Sequence, residues 1–244
     1  MFEVGGTLEP AARGLTVRVA LRNVGPVKAD NVRVFGELLG TRASADFVVP
    51  LSPGAASEAR LAFPEAVPAA GVHALVLRLE YESAAPGRPE AMNQYAYLLL
   101  GFGGASAPAV RLELPRARVR DRGEVPVTLE SADGRPHRVT LSIYLPRTLG
   151  VAPARQDVDV PARGPVVVTL RLFRSLATYE STHGLLAVAV TREDGATRTS
   201  AATSVVEIGP DTAVLPRVRY LLLGAAVALL IAAGLRERRA PAAA

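Results

Sequence analysis

The sequence has no cysteine and no tryptophan, and its 244 residues include a single lysine, Lys28. Without thiols there is no disulfide framework, thiolate metal site or cysteine nucleophile to consider. Without tryptophan, the flat platform on which β-sandwiches commonly stack sugars falls to Tyr81, Tyr95 or Tyr97. Tyr95 and Tyr97 alternate within one apolar stretch, a spacing that suits packing. The scarcity of lysine leaves the net charge of +5 to arginine. Those arginines alternate with apolar residues instead of clustering, which reads as solvated strand faces and excludes a nucleic-acid surface. No basic and then apolar leader follows Met1-Phe2-Glu3, so either a secretory signal has been removed or insertion uses a later segment.

What is present is β-rich. Hydrophobic residues make up 49% and aromatics 5%, with 21 Gly and 19 Pro, a balance that favours short strands and frequent turns. Leu15–Arg22 alternates strictly and predicts a half-buried strand, which Asn23-Val-Gly25-Pro26 breaks with turn chemistry. Further strands are predicted over Asn31–Leu39, Ala56–Phe63, Val72–Tyr81 and Asn93–Phe102, divided by signals such as Ser52-Pro53-Gly54 and the loop Ser83–Pro89.

The pattern then restarts. Glu124–Leu129, His137–Leu145, Pro161–Phe173, His183–Thr191 and Thr199–Ile208 match the earlier strands, with the turn Ser131-Ala-Asp-Gly134 standing for the one at Asn23. The offsets stay near ~110 residues, the length of an immunoglobulin-like sandwich. The expected fold is therefore all-β: two tandem immunoglobulin-like β-sandwich domains, residues 1–103 and 109–210, joined by the Gly/Ala/Ser linker 104–108. A single larger barrel is the alternative. A juxtamembrane segment 211–219, a single transmembrane helix 220–235 and a basic tail 236–244 complete the expected organisation.

That helix is read from an uncharged run beginning at Tyr220. It spans roughly 24 Å at about 1.5 Å per residue, short of the ~20 residues usually needed. Arg217 and Arg219 before it, and Arg236, Arg238 and Arg239 after it, can snorkel to make up the difference, with the ring of Tyr220 at the interface. Leu221, Leu222, Leu223, Leu229, Leu230, Ile231 and Leu235 supply the anchor in membrane lipid. The excess of arginine after the run places the C-terminus in the cytoplasm and both sandwiches outside the inner membrane. Gly224 and Ala228 form a small-xxx-small face for a transmembrane helix partner, or else face lipid. A buried core helix is the competing reading of the run.

The phrase Val17-Arg-Val-Ala-Leu-Arg-Asn-Val-Gly25, followed by Ala29-Asp-Asn-Val-Arg-Val34, resembles the opening of bacterial immunoglobulin-like domains of the CARDB type. The L-x-N-x-G turn and the later Pro/Gly-introduced L-x-F strand are both present; in the second half Ser131 and Gly134 replace the Asn and Gly. The resemblance implies cell-envelope adhesion, spacer or assembly units. The apolar run with its following arginines is also similar to tails processed by exosortase-type enzymes, although Leu215-Pro216-Arg217 stands where a Pro-Glu-Pro signature would be.

No catalytic, cofactor-binding or metal-binding set emerges. His73 shares parity with Leu75, Leu77 and Leu79 and is expected at the mouth of a core strand, with His183 at the matching place in the second half. His137, after Gly-Arg-Pro, is expected to be exposed. Asp157 and Asp159 share a strand face but would need a pocket to act as a paired-carboxylate site, and are expected at a solvent-facing edge. Tyr179-Glu-Ser-Thr-His-Gly184 has no nucleophile elbow around its serine, and Gly101-Phe-Gly-Gly104 lacks the lysine of a phosphate loop. The sequence therefore points to a non-enzymatic, single-pass envelope protein without cofactors. Its sandwiches would meet a protein or polysaccharide partner, with a glycan-binding module or a surface protein bearing a sorting tail as alternatives.

Overall fold

The computed structural model describes residues 1–9, 11, 13–46, 50–83, 90–103, 107–120, 122–146, 148–174 and 181–209. The run 220–235, with Gly224, Ala228 and the flanking arginines Arg217, Arg219, Arg236, Arg238 and Arg239, lies outside the described residues. So do parts of the 83–89 loop, the 104–108 linker and the 179–184 segment. Among the described residues no helix is long and apolar enough to cross a membrane.

Sixteen strands make up the described part. The first seven are β1 (Phe2–Glu9), β2 (Leu15–Asn23), β3 (Ala29–Leu38), β4 (Thr41–Asp46), β5 (Ala56–Phe63), β6 (Gly71–Ser83) and β7 (Glu90–Phe102). One sheet has the order β1-β2-β5; facing it, β7, β6, β3 and β4 lie side by side. This Greek-key division is that of an immunoglobulin-like sandwich. Alternation decides which side chains meet inside: Val17, Val19 and Leu21 from β2, Leu61 and Phe63 from β5, and Leu75, Leu77 and Leu79 from β6 are all fully buried in one cluster. Tyr81 joins that cluster and meets Phe2 edge-on, ring centroids 4.9 Å apart.

Asn23 ends β2 and explains the L-x-N-x-G phrase. Its side chain is buried; Nδ2 donates to the carbonyls of Val27 (2.8 Å) and Leu51 (2.9 Å), while Oδ1 accepts from the Gly25 amide (3.0 Å). One amide thus satisfies two turns that meet at one end of the sandwich. Beside it, Phe2 of β1 pairs with Asn23 in register, and Gln94 of β7 exchanges hydrogen bonds with the Phe2 backbone, accepting from its N–H (2.8 Å) and donating to its carbonyl (2.7 Å). The side chain takes the place of a strand residue and draws β1 against β7.

The remaining strands are β8 (Val110–Glu113), β9 (Ala117–Val119), β10 (Arg122–Ser131), β11 (His137–Tyr144), β12 (Leu149–Ala152), β13 (Arg155–Val160), β14 (Val166–Arg174), β15 (Ser181–Glu193) and β16 (Ala196–Ile208). They form a sheet β12-β14-β10-β8 against one running β13-β11-β15-β16, with β9 parallel to the far end of β16. Their core gathers Val125, Val127 and Leu129, Val139 and Leu141, Leu170 and Leu172, and Leu185, Ala187 and Ala189. Here the turn acceptor equivalent to Asn23 is Asp133, whose Oδ1 takes the Arg135 amide at 3.0 Å. Ser131, the expected counterpart, only donates its hydroxyl to Asp133.

The two inner sheets are joined. Beyond the part of β6 that pairs with β3, its free edge is bridged in parallel by β16 at Gly71 and Thr197. The Thr197 amide donates to Ala70 (2.9 Å) and the Thr199 hydroxyl to the Val72 carbonyl (2.7 Å). A third apolar cluster then forms between the outer faces of these sheets, built from Val76 on β6 and Leu186 and Val188 on β15, with Ala74, Tyr95, Tyr97 and Tyr144 packed against it. The result is four β layers, with both sandwiches inside the one compact unit Met1–Ile208.

Candidate functional site

Where the outer faces of the inner sheets diverge, they leave a groove of about 500 Å³. Its floor is apolar: Ala74 and Val76 come from the outer face of β6, Val188 and Val190 from that of β15. The end of β3 supplies Glu37, and the turn after it the half-exposed Leu39, on one wall. Arg138, Arg155 and Asp157, from β11 and β13, form the other, and Arg192 stands near the Thr197 end. The lining carries three arginines against two carboxylates, Glu37 and Asp157.

Asp157 is the acidic member most exposed to chemistry, and its surroundings keep it charged. The Thr140 hydroxyl donates to Oδ1 (2.8 Å), and Arg138 reaches Oδ2 at 3.4 Å. The Thr140 hydrogen bond, then the Arg138 charge and hydrogen bond, hold its carboxyl below the usual carboxylate range. A group held ionised in this way has no proton to donate near neutrality, whereas a paired-carboxylate acid needs its affinity raised. Asp159 is exposed on the same strand, in keeping with the solvent-facing edge the sequence implied. Tyr144 stays a phenol, its pKa raised by burial, and tilts against Tyr95 at 6.0 Å.

The histidines occupy three separate places. His73 is buried on β6, donates from Nε2 to the Ala69 carbonyl (3.0 Å), and packs edge-on to Phe102. It sits where its parity with Leu75 placed it. His183 takes the same third position of its own 13-residue strand and is half-buried beside a second cleft, of about 750 Å³, on the other side of the joint. Tyr95, Tyr97 and Gln94 line that cleft too, and both tyrosines pack against the seam between the sandwiches.

His137 departs from expectation: it is buried, its side chain 1% exposed. Nδ1 lies 2.6 Å from Glu193 Oε1 and Nε2 2.7 Å from Asp133 Oδ1. Carboxylates only accept, so both ring nitrogens donate and the ring is an imidazolium. Burial opposes that charge, but the hydrogen bonds and charges of Glu193 and Asp133 outweigh it and raise the pKa above its usual 6.5. In return the His137 hydrogen bond, helped by the Arg135 amide, holds Asp133 at about 2. Arg198 adds a contact to Asp133 Oδ2 at 3.4 Å. The Gly-Arg-Pro turn hid this arrangement, because Glu193 lies 56 residues away in sequence.

Among the described residues no group of three or more His, Asp or Glu side chains is placed to hold a metal ion.

No protein-family model matches the chain, and neither does any curated protein, so the CARDB-type resemblance stands on its motif alone. Several solved structures resemble it in arrangement. Trypsin-activated alpha-2-macroglobulin from Escherichia coli is 9% identical over 84% of this chain and 18% of its own, with a TM-score of 0.33. The chain therefore spans under a fifth of that protein's length. CBD12 from CALX1.2 is 11% identical over 80% of this chain and 93% of its own, at 0.29. A Porphyromonas gingivalis W83 protein of unknown function is 12% identical over 85% and 99%, at 0.31.

Proposed function

We propose that this chain is a non-enzymatic, single-pass cell-envelope protein that holds a double β-sandwich outside the inner membrane for contact with another envelope protein or polysaccharide. Residues 220–235 form the anchor, with Arg236, Arg238 and Arg239 on the cytoplasmic side, as the charge balance favours. Gly224 and Ala228 offer a seat for a neighbouring transmembrane helix, which suits an accessory subunit of a membrane complex.

The observation that carries the interaction reading is the groove. The apolar outer faces of β6 and β15 are largely consumed in the seam, yet the part that stays open is a concave strip with an apolar floor and an arginine-bearing wall. Such a strip accepts an extended segment bearing apolar and acidic groups.

The test takes the full-length chain in native membranes, with a photo-crosslinking residue at Ser142 in the groove and another at the exposed Thr169 on the far sheet. The expected result is resistance to carbonate extraction, protease access to the sandwiches from outside, and a discrete adduct from Ser142 that is lost in Arg192→Glu. Release by carbonate would remove the anchor from this account. Identical adducts from Ser142 and Thr169 would remove the groove.

A further inference from the structure

We infer that His137 works as a proton-operated clasp on the joint between the two sandwiches, its doubly held ring pinning the hairpin from which Thr197 and Thr199 grip the first sandwich. This inference is independent of the partner and membrane reading above.

The β15–β16 hairpin turns through Asp194 and Gly195, both with positive φ (50° and 73°). Glu193 and Ala196 pair just before and after that turn, and Thr191 pairs with Arg198. Two points near the tip are tied down to the second sandwich: Glu193 by His137 Nδ1 (2.6 Å) and Arg198 by Asp133 (3.4 Å). Between and just beyond them, Thr197 and Thr199 make the bonds to Ala70 and Val72. A short lever thus has its fulcrum on Asp133 and His137 and its load on the first sandwich.

The groups facing the ring come from every element around it. The β10–β11 turn contributes Asp133, itself fixed by the Arg135 amide and Ser131 hydroxyl. β15 contributes Glu193, and β16 contributes Arg198 through Asp133. On β13, Val160 lies opposite His137 in register, with exposed Asp159 beside it. When the ring loses a proton, one nitrogen turns a lone pair toward a carboxylate oxygen at under 3 Å. Two acceptors cannot share that separation, so Glu193 or Asp133 must withdraw. Either movement frees one tie of the hairpin, and the Thr197 rung is left with less behind it.

The absence of cysteine makes the joint simple to label. Ser44→Cys on exposed β4 and Thr169→Cys on exposed β14 place one spin label on each sandwich of the full-length chain in detergent. Pulsed dipolar distances are then measured across pH, alongside the NMR titration of the His137 ring. The expected result is a single narrow distance in acid that is lost at the pH where the ring titrates. His137→Gln should give the broad distribution at every pH.

Three results overturn the inference. They are a distance that stays narrow while the ring deprotonates, sandwiches that melt before the ring releases its proton, and a His137→Gln variant that keeps the narrow distance. The wild-type titration decides the matter even where the variant does not fold.

Discussion

A Cβ placed on Gly71 would meet the carbonyl oxygen of Thr197 at 1.9 Å and its amide nitrogen at 2.7 Å. Gly71 also has φ +125°, a conformation L side chains rarely adopt. Only glycine permits these two backbones to touch. Gly71→Ala is therefore expected to break the Gly71–Thr197 bridge while leaving both cores intact. Hydrogen exchange at the Thr197 amide, which donates to Ala70, should rise to the rate of an exposed amide. Unchanged protection would mean the rung is not held by this contact.

Removing the Asn23 side chain should be costly out of proportion to its size. Asn23→Ala strands the Val27 carbonyl, takes from the Leu51 carbonyl one of its two donors (the Ala29 amide remains) and takes from the Gly25 amide one of its two acceptors (the Met1 carbonyl remains). The expected loss is roughly 1–3 kcal/mol in urea unfolding. Asn23→Asp keeps the acceptor but directs negative charge at two carbonyls, and should cost at least as much. A milder effect from Asp than from Ala would show that the Gly25 contact, and not the two carbonyls, matters most.

Stability should depend on pH from both sides, with signs fixed by the pKa directions. His137 is raised, so its contribution is complete below 6.5 and is lost as pH climbs through the folded value. Asp133 is depressed to about 2, so its contribution is complete above 3.8 and is lost as pH falls toward 2. Thermal unfolding should peak between these limits. His137→Gln should flatten the alkaline side and Asp133→Asn the acid side; a profile unaltered by both would contradict the pairing.

The seam is open to the same kind of test. Leu186 is fully buried between the sheets, away from either sandwich core. Leu186→Ala is expected to cost about 2–4 kcal/mol and to loosen the Ser44–Thr169 label distance at all pH values. A destabilisation without any change in that distance would place Leu186 inside one sandwich in energetic terms.

Much of this architecture is written in the alternation. Strands β2, β5, β6 and β10 are long enough to show a period of two, and their inward residues follow from it. β1 is harder to read because Gly5 and Gly6 interrupt it, and β8, β9 and β12 are too short, at four, three and four residues, to show any period. The seam had a signal in plain sight: Leu185-Leu-Ala-Val-Ala-Val190 has no polar partner for its alternate positions, the pattern of a strand buried on both faces. His137 offered none, since its partners come from a neighbouring turn and a distant hairpin. Spacing from the strand end points to Ser131 and not to Asp133, because an Asx turn is defined by the amide two residues on, which that spacing does not reveal.

The hand-over along β6 has a mechanical consequence. One strand carries β3 along most of its edge and β16 at its tip, so a pull transmitted through β16 reaches the edge of β6 by a single rung, which holds the Thr197 amide bond to Ala70, and by the Thr199 hydroxyl bond to Val72. Under tension that rung peels first, whereas the greasy seam behind it must shear as a block. The joint therefore has a weak catch set in front of a strong hinge plate, and would yield in two stages when stretched.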